Sequence, residues 1–161
     1  MPDEWRAVLV IVAGLGSGLM AGLYFAFSVA VMGALARLPA ADGTAAMQSI
    51  NTVILNPLFL GVFFGTGVIC VVLGLAALAD PGAPGALTLL AACLLYLVGN
   101  IAVTIVANVP LNNALAGADP DSAEGGRVWS RYLTVWTRWN HVRAVACLAA
   151  TALFMAWLHV R

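Results

Sequence analysis

Four long apolar runs, separated by short polar segments, organise the chain. They cover about residues 8–35, 53–79, 87–109 and 136–160. Each run is long enough, at about 20 residues or more, to cross the hydrocarbon layer of a membrane as a helix. The pattern therefore predicts an all-α fold: an antiparallel four-helix bundle in the membrane that uses residues 1–161 as a single domain.

The segments between the runs refine this prediction. In the first loop a turn signal precedes residues 44–51, which favour a short helix lying at the membrane interface. The second loop, residues 80–85, consists of turn-forming residues and should join its two helices as a hairpin. Because Pro110 removes a backbone donor, we expect it to end or loosen the third helix just after Val109.

Composition indicates an integral membrane protein. Of the 161 residues, 63% are hydrophobic and 9% are charged, and the mean hydropathy is +0.99, well above the range of soluble domains. The formal net charge of zero gives no reason to expect a nucleic acid partner. Five of the seven basic residues lie in or beside the first and third loops, so the positive-inside rule predicts cytoplasmic loops there and both termini outside.

Cysteine and histidine positions do not suggest a metal site. Cys70, Cys93 and Cys147 lie inside apolar runs, without a CxxC pair, and we interpret them as small buried hydrophobic residues. The chain has only two histidines, which excludes a site built from several imidazoles. A mixed ligand set stays open, and our prediction is that no metal is bound.

The third run carries polar side chains at a spacing of four. This spacing places them on one face of a helix. Inside a bilayer, a polar group without a partner costs free energy, so we expect that face to line a polar site. The row consists of Tyr96, Asn100, Thr104, Asn108 and Asn112.

A second polar group opens the last run, where Trp136, Asn140 and Arg143 share a helix face. A guanidinium costs roughly 2.5 to 3.5 kcal/mol at the centre of a bilayer, so its direction matters. We expect Arg143 to face Asn108 and Asn112 across a pocket between the third and fourth helices. The alternatives are that Arg143 is a lipid-facing anchor, or that the amides form a purely structural cluster that bridges the third and fourth helices.

Three further residues are candidates for the site. His141 follows Asn140 and therefore lies about 100° around the helix, where it is either a general base or a solvated interfacial group. Tyr24, in the first helix, needs a hydrogen-bond partner if it is buried. Asn51, in the first loop, is a candidate for ligand contact.

A stripe of small residues runs along the first helix. Gly14, Gly18 and Gly22 follow one another at intervals of four. Such a stripe lets a neighbouring backbone approach closely, either within the bundle or in a homo-oligomer. Both interpretations stay open at this point.

Several segments together resemble a known family. Asn-Val-Pro-Leu-Asn at residues 108–112 and Trp-Thr-Arg-Trp-Asn-His-Val-Arg at residues 136–143 look like the paired motif of the anthrone oxygenase-like family of small four-helix membrane proteins. Residues 25–35 and 47–57 are also similar to that family, so the resemblance spans nearly the whole chain. Gly33 stands where many relatives have a proline, which leaves the bend of those relatives in question.

The resemblance implies oxygenation of a polyketide anthrone to an anthraquinone, with molecular oxygen as co-substrate and no metal or organic cofactor. The substrate would be a lipophilic aromatic molecule that enters from the lipid bilayer. Arg143 would hold its oxyanion and His141 would act as the base. The remaining implied contacts are amide donors from Asn108, Asn112 and Asn140, and stacking on Trp136 and Tyr24.

Two other classes of function compete with the oxygenase. The first is a non-catalytic binder or carrier of a small molecule, which would use the same polar pocket. The second is a structural, oligomerising membrane protein, in which the polar row only joins helices. A chain with four spans and no evident inverted repeat is short for an alternating-access carrier, so transport ranks low.

Overall fold

The computed structural model describes residues 2–160, with side chains for residues 4–160. Every regular element in this part of the chain is helical. The helices are α1 (residues 2–35), α2 (Ala40–Val53), α3 (Pro57–Ala79), α4 (Ala86–Ala116) and α5 (Ala123–Val160). The predicted all-α fold class is confirmed.

Four of these helices, α1, α3, α4 and α5, are long and apolar enough to cross a membrane. The protein is therefore an integral membrane protein. The remaining helix, α2, occupies the first loop, where a short interfacial helix was predicted. It ends at Val53, so α3 begins four residues later than the second apolar run, at Pro57. Asn56 caps α3, because its Oδ1 accepts a hydrogen bond from the backbone N–H of Phe59 at 3.0 Å.

The prediction that the third helix ends near Val109 is wrong. Instead, α4 continues through Pro110 to Ala116. Two wider, π-helical stretches, Leu97–Ala102 and Thr104–Asn108, precede the proline. Since a proline ring clashes with the carbonyl of the preceding turn in a regular helix, the wider turn lets the chain pass the proline without stopping.

A third π-helical turn, Phe27–Val31, interrupts α1. It lies just before Gly33, the position where the resemblance would place a proline, and a Cβ added at Gly33 would meet no atom within 4 Å. The local change of helix geometry in α1 therefore occurs without that proline. In contrast, α5 is continuous over 38 residues, which is about 57 Å and longer than the hydrocarbon layer is thick.

Two glycines of the stripe face α5. A Cβ added at Gly14 would lie 3.5 Å from Phe154 Cβ, and one at Gly18 would lie 3.7 Å from Thr151 Cγ2. A Cβ added at Gly22 would meet nothing within 4 Å. Gly14 and Gly18 thus lie next to α5 with room for a methyl group, and a homo-oligomer through the stripe stays a prediction.

The side chains buried between the helices form two clusters. The larger cluster joins α1, α3, α4 and α5 and includes all three cysteines, which are buried and free, as their interpretation as hydrophobic residues requires. The smaller cluster packs α2 against the ends of α1, α4 and α5, around Met47 and Tyr132. The candidate site lies where the two clusters meet.

Candidate functional site: a buried arginine beside a polar cavity

Arg143 reaches from α5 into the bundle and is only 5% exposed. Its Nη1 donates to Thr104 Oγ1 at 3.2 Å, and its Nη2 donates to Asn140 Oδ1 at 2.8 Å. A guanidinium has five N–H donors, so most of its donor capacity is unused. Within residues 4–160, no carboxylate lies within ion-pair distance of Arg143; the ion pair found there joins Arg127 to Glu124 at the surface. Arg143 is a buried cation whose partners in this part of the chain are all uncharged.

Two aromatic rings take the place of a counter-ion. The Cζ atom of Arg143 lies 4.2 Å from the centroid of the Tyr24 ring and 5.3 Å from that of Trp136. Both distances are within the range of cation–π attraction, which is stronger when the cation is desolvated. The two rings contact the guanidinium from α1 and from α5 respectively.

Asn140 connects this cation to α1. Its Nδ2 donates to the backbone carbonyl of Tyr24 at 2.7 Å and to Ser28 Oγ at 2.7 Å. The carbonyl lies just before the π-helical turn Phe27–Val31, where regular helical pairing is interrupted. Both polar atoms of the Asn140 amide are therefore engaged: Nδ2 makes two contacts with α1, and Oδ1 accepts from Arg143.

A cavity of about 110 Å³ lies next to the guanidinium. Leu55 and Val109 line the cavity and are exposed, so the cavity is open to the outside of the bundle. Its floor and walls combine seven polar or amphipathic side chains with apolar ones from α1, α2 and α3. The former are Tyr24, Asn51, Thr104, Asn112, Trp136, Asn140 and Arg143.

The rim of this cavity is tied together by Tyr132. The Tyr132 hydroxyl donates to Asn112 Oδ1 of α4 at 2.8 Å and accepts from Asn51 Nδ2 of α2 at 3.3 Å. Nearby, Gln48 Nε2 donates to the carbonyls of Leu115 and Ala118 at the end of α4. These bonds hold α2 over the cavity.

Three aromatic rings stack along α5 on the same side. The centroids of Trp129 and Tyr132 are 5.9 Å apart, and those of Tyr132 and Trp136 are 5.4 Å apart, with interplanar angles of 17° and 16°. Trp136 is buried and forms an inward wall of the site, whereas Trp139 is 41% exposed, as expected of a membrane-interface tryptophan.

Most of the predicted site residues come together. Tyr24, Asn51, Asn112, Trp136, Asn140 and Arg143 all line the cavity. Three polar side chains of the row on α4 lie beside it instead. Asn100 Oδ1 accepts from the Tyr24 hydroxyl at 2.8 Å, Asn108 Nδ2 donates to the Trp136 carbonyl at 3.4 Å, and the Tyr96 hydroxyl donates to the Phe63 carbonyl at 3.0 Å.

His141 does not join this group. It is exposed and lines a separate hollow together with Ser28. The reason is its position one residue after Asn140, which turns its side chain about 100° away from the cavity. In the other direction, sequence reasoning missed Tyr132 as a site residue, although it precedes Trp136 by four residues, the spacing that placed Asn140 on the same face.

Metal ligands are not clustered in the structure. Between residues 4 and 160, no three His, Cys, Asp or Glu side chains come close enough to hold an ion together. The polar lining of the cavity consists of amides, hydroxyls, an indole and a guanidinium. Of these groups, the guanidinium is the one suited to hold an anionic ligand.

Comparison with known proteins gives one match. The family model described as anthrone oxygenase matches residues 59–153, more than half of the chain. No curated protein and no solved structure matches the chain. Thr104, Asn112, Trp136, Asn140 and Arg143 lie inside the matched range, whereas Tyr24 and Asn51 lie before it. The chain belongs to the anthrone oxygenase family.

Proposed function

We propose that this protein is a membrane-embedded oxygenase that oxidises a lipophilic, anthrone-like aromatic to a quinone with molecular oxygen and without a resident cofactor. The observation that carries the proposal is Arg143, a buried cation beside a cavity with no carboxylate partner in the described chain. An anionic ligand would supply the missing charge.

The reaction begins with loss of a proton from the methylene carbon of the anthrone. The resulting anion is an enolate, which carries its charge largely on the former carbonyl oxygen. Dioxygen adds to the former methylene carbon, and the resulting peroxide anion takes a proton back from water. The hydroperoxide so formed loses water to leave a second carbonyl. One oxygen atom enters the product and the other leaves as water. The substrate is oxidised by four electrons, and one molecule of dioxygen accepts them.

Arg143 would stabilise the charge that develops in the first step. A fixed donor in a water-poor site stabilises a developing oxyanion more than the same donor does in water. Contacts with Thr104, Asn140 and two aromatic rings already hold the guanidinium in place. Little reorganisation is then needed when the substrate ionises.

In the proposed reaction, no residue that lines the cavity acts as a general base. Neither an imidazole nor a carboxylate lines the cavity, because His141 faces a different hollow. In the proposed reaction the proton leaves to water at the cavity rim. The field of Arg143 makes this loss more favourable, since an opposite charge nearby stabilises the ionised form.

Cavity size determines how the substrate would sit. Ligand pockets usually measure about 300 to 1,000 Å³, and the cavity here measures about 110 Å³. Only the oxygen-bearing edge of a three-ring molecule fits beside Arg143. The remaining rings would lie at the lateral opening, against Leu55 and Val109 and the lipid tails.

The direct test compares Arg143→Gln with Arg138→Gln in lipid nanodiscs. Arg138 is a matched control because it lies on the same helix and is exposed. Oxygen uptake and quinone absorbance are measured with an anthrone, and the rate of uncatalysed oxidation is subtracted. We expect Arg143→Gln to lower kcat by about 10²- to 10³-fold, as loss of an oxyanion donor does, and Arg138→Gln to leave it unchanged. A wild-type rate no higher than the uncatalysed rate would refute the proposal.

Binding without turnover is the second candidate function. The absence of a base from the cavity lining favours it, since Arg143 and its amides are sufficient to hold an anion. The same nanodisc samples distinguish the two functions. A binder would show saturable, Arg143-dependent affinity for a hydroxyanthraquinone but no catalysed oxygen uptake.

A further inference from the structure

A second and larger hollow lies on the outer surface of the bundle, between α1 and α5. We name it the α1–α5 groove; it measures about 490 Å³, and its lining includes Gly22, Phe25, Ser28, His141 and Leu148. It shares no lining residue with the Arg143 cavity. The walls are apolar except at Ser28 and His141.

A single hydrogen bond joins the wall of the groove to the wall of the cavity. Asn140 lines the cavity, Ser28 lines the groove, and Asn140 Nδ2 donates to Ser28 Oγ at 2.7 Å. On its other side, the same amide accepts from Arg143. The two spaces are therefore neighbours, separated by one pair of side chains at the π-helical turn of α1.

We propose that the α1–α5 groove is a binding site for a neutral, flat aromatic molecule that carries a hydroxyl group. This inference rests on the proposed function in one respect, because the ligand it names is the un-ionised substrate on its way from the bilayer to Arg143. The hydroxyl bonds to His141 or Ser28, and the rings lie along Phe25 and Leu148.

Polarity distinguishes this groove from the other hollows of similar size. Its volume of about 490 Å³ is within the usual range of ligand pockets, unlike that of the Arg143 cavity. Two other hollows on the sides of α1 measure about 430 and 340 Å³, and no ionisable side chain lines either of them. A lipid acyl chain has no group that bonds to an imidazole, whereas a phenolic hydroxyl does.

Gly22 keeps the groove open. A Cβ built at this position would meet no atom within 4 Å, so a larger side chain there would extend into the hollow. Gly61 offers a matched control. It lies on α3, lines one of the other hollows, and its added Cβ would likewise meet nothing within 4 Å.

The test uses para-hydroxybenzophenone, a photoreactive aromatic phenol, on the full chain in phosphatidylcholine nanodiscs, with labelled peptides mapped by mass spectrometry. We expect labels on α1 and α5 around Phe25 and Leu148. Gly22→Leu should lower this labelling roughly tenfold, a typical effect of steric change in an apolar pocket, and Gly61→Leu should not change it. His141→Phe should weaken labelling by the phenol but not labelling by unsubstituted benzophenone, which provides a second test if Gly22→Leu does not fold.

Three results would overturn the inference. One is labelling that Gly22→Leu and Gly61→Leu affect equally, which indicates nonspecific partition among lipid tails. Another is labelling confined to residues of the Arg143 cavity. The third is a wild-type dimer that Gly22→Leu converts to a monomer without loss of labelling, which assigns the groove to contact between copies of the chain.

Failure of the proposed oxygenase would be visible separately. Arg143→Gln is expected to keep the labelling of the groove, because Arg143 does not line it. Groove labelling without catalysed oxygen uptake in the wild type would support the binding site and refute the oxygenase. Oxygen uptake that depends on Arg143, without groove labelling, would support the oxygenase and refute the binding site.

Discussion

Asn140 lies three residues before Arg143 on the same helix, and its Oδ1 accepts a hydrogen bond from Arg143 at 2.8 Å. The same amide donates twice to α1, to the Tyr24 carbonyl and to Ser28. It thus fixes the buried cation relative to a different helix. Because this acceptor is a neutral amide, the positive charge of Arg143 stays uncompensated. A carboxylate at the same position would neutralise it.

Asn140→Asp should therefore weaken anion binding. The new carboxylate would pair with Arg143 and cancel its charge, and the two donor contacts to α1 would be lost. We expect KM for an anthrone to rise at least about tenfold and kcat to fall, because an ion pair competes with the substrate oxyanion. Steady-state oxygen uptake measures both constants. Wild-type kinetics in a folded Asn140→Asp variant would contradict this role of the neutral amide.

Tyr24 separates stability from function. Tyr24→Phe removes the hydroxyl that bonds to Asn100 but keeps the ring next to Arg143. We expect the free energy of unfolding to fall by about 1 to 3 kcal/mol, since Asn100 Oδ1 loses a buried partner. Turnover should change little. Tyr24→Leu should lower turnover as well, because it also removes the ring. Unfolding in mixed micelles and oxygen uptake give the two readouts, and equal turnover in both variants would refute the cation–π contribution.

His141 is expected to affect access more than chemistry. Since its side chain lies outside the Arg143 cavity, His141→Gln should keep kcat within about threefold of the wild type, whereas loss of a general base costs about 10²- to 10⁴-fold. The KM is expected to rise if the α1–α5 groove feeds the cavity. A loss of kcat in the range of a missing base would show that His141 takes the substrate proton directly.

Gly99 tests the contact between α4 and α5. A Cβ at Gly99 would overlap Ala146 Cβ, and the Ala146 side chain has no rotamer through which to move away. Gly99→Ala should lower the free energy of unfolding by about 1 to 3 kcal/mol, the usual cost of overpacking. Gly61→Ala, with open space around the added Cβ, is the control and should not destabilise the protein. Equal stability of the two variants would contradict the α4–α5 approach at this position.

Periodicity predicted the parts of the structure that depend on one helix face. Asn140, Arg143 and Trp136 share the inward face of α5, and Thr104 and Asn112 meet them from α4, as a row at a spacing of four requires. The apolar runs also located the helices that cross the membrane. Both results follow because burial in a bundle repeats with the helical period.

Contacts between helices were not predictable in the same way. The row on α4 divides into residues that line the cavity and residues such as Asn100 and Asn108 that bond to neighbouring helices. This division depends on which neighbouring group each amide contacts. The helical period of α4 does not predict those contacts. The passage of α4 through Pro110 depends likewise on the π-helical turn before it, which has no simple sequence signal.

The central claim is that Arg143 receives an anionic oxygen in the cavity. A hydroxyanthraquinone tests this claim directly, because its colour reports ionisation of its hydroxyl group. Bound to wild-type protein or to Arg138→Gln in nanodiscs, the ligand should ionise at a pH lower by about one to three units than in protein-free nanodiscs, as a cation within a few ångströms predicts. With Arg143→Gln this shift should disappear. An unchanged shift in Arg143→Gln, or no shift in the wild type, would contradict the account.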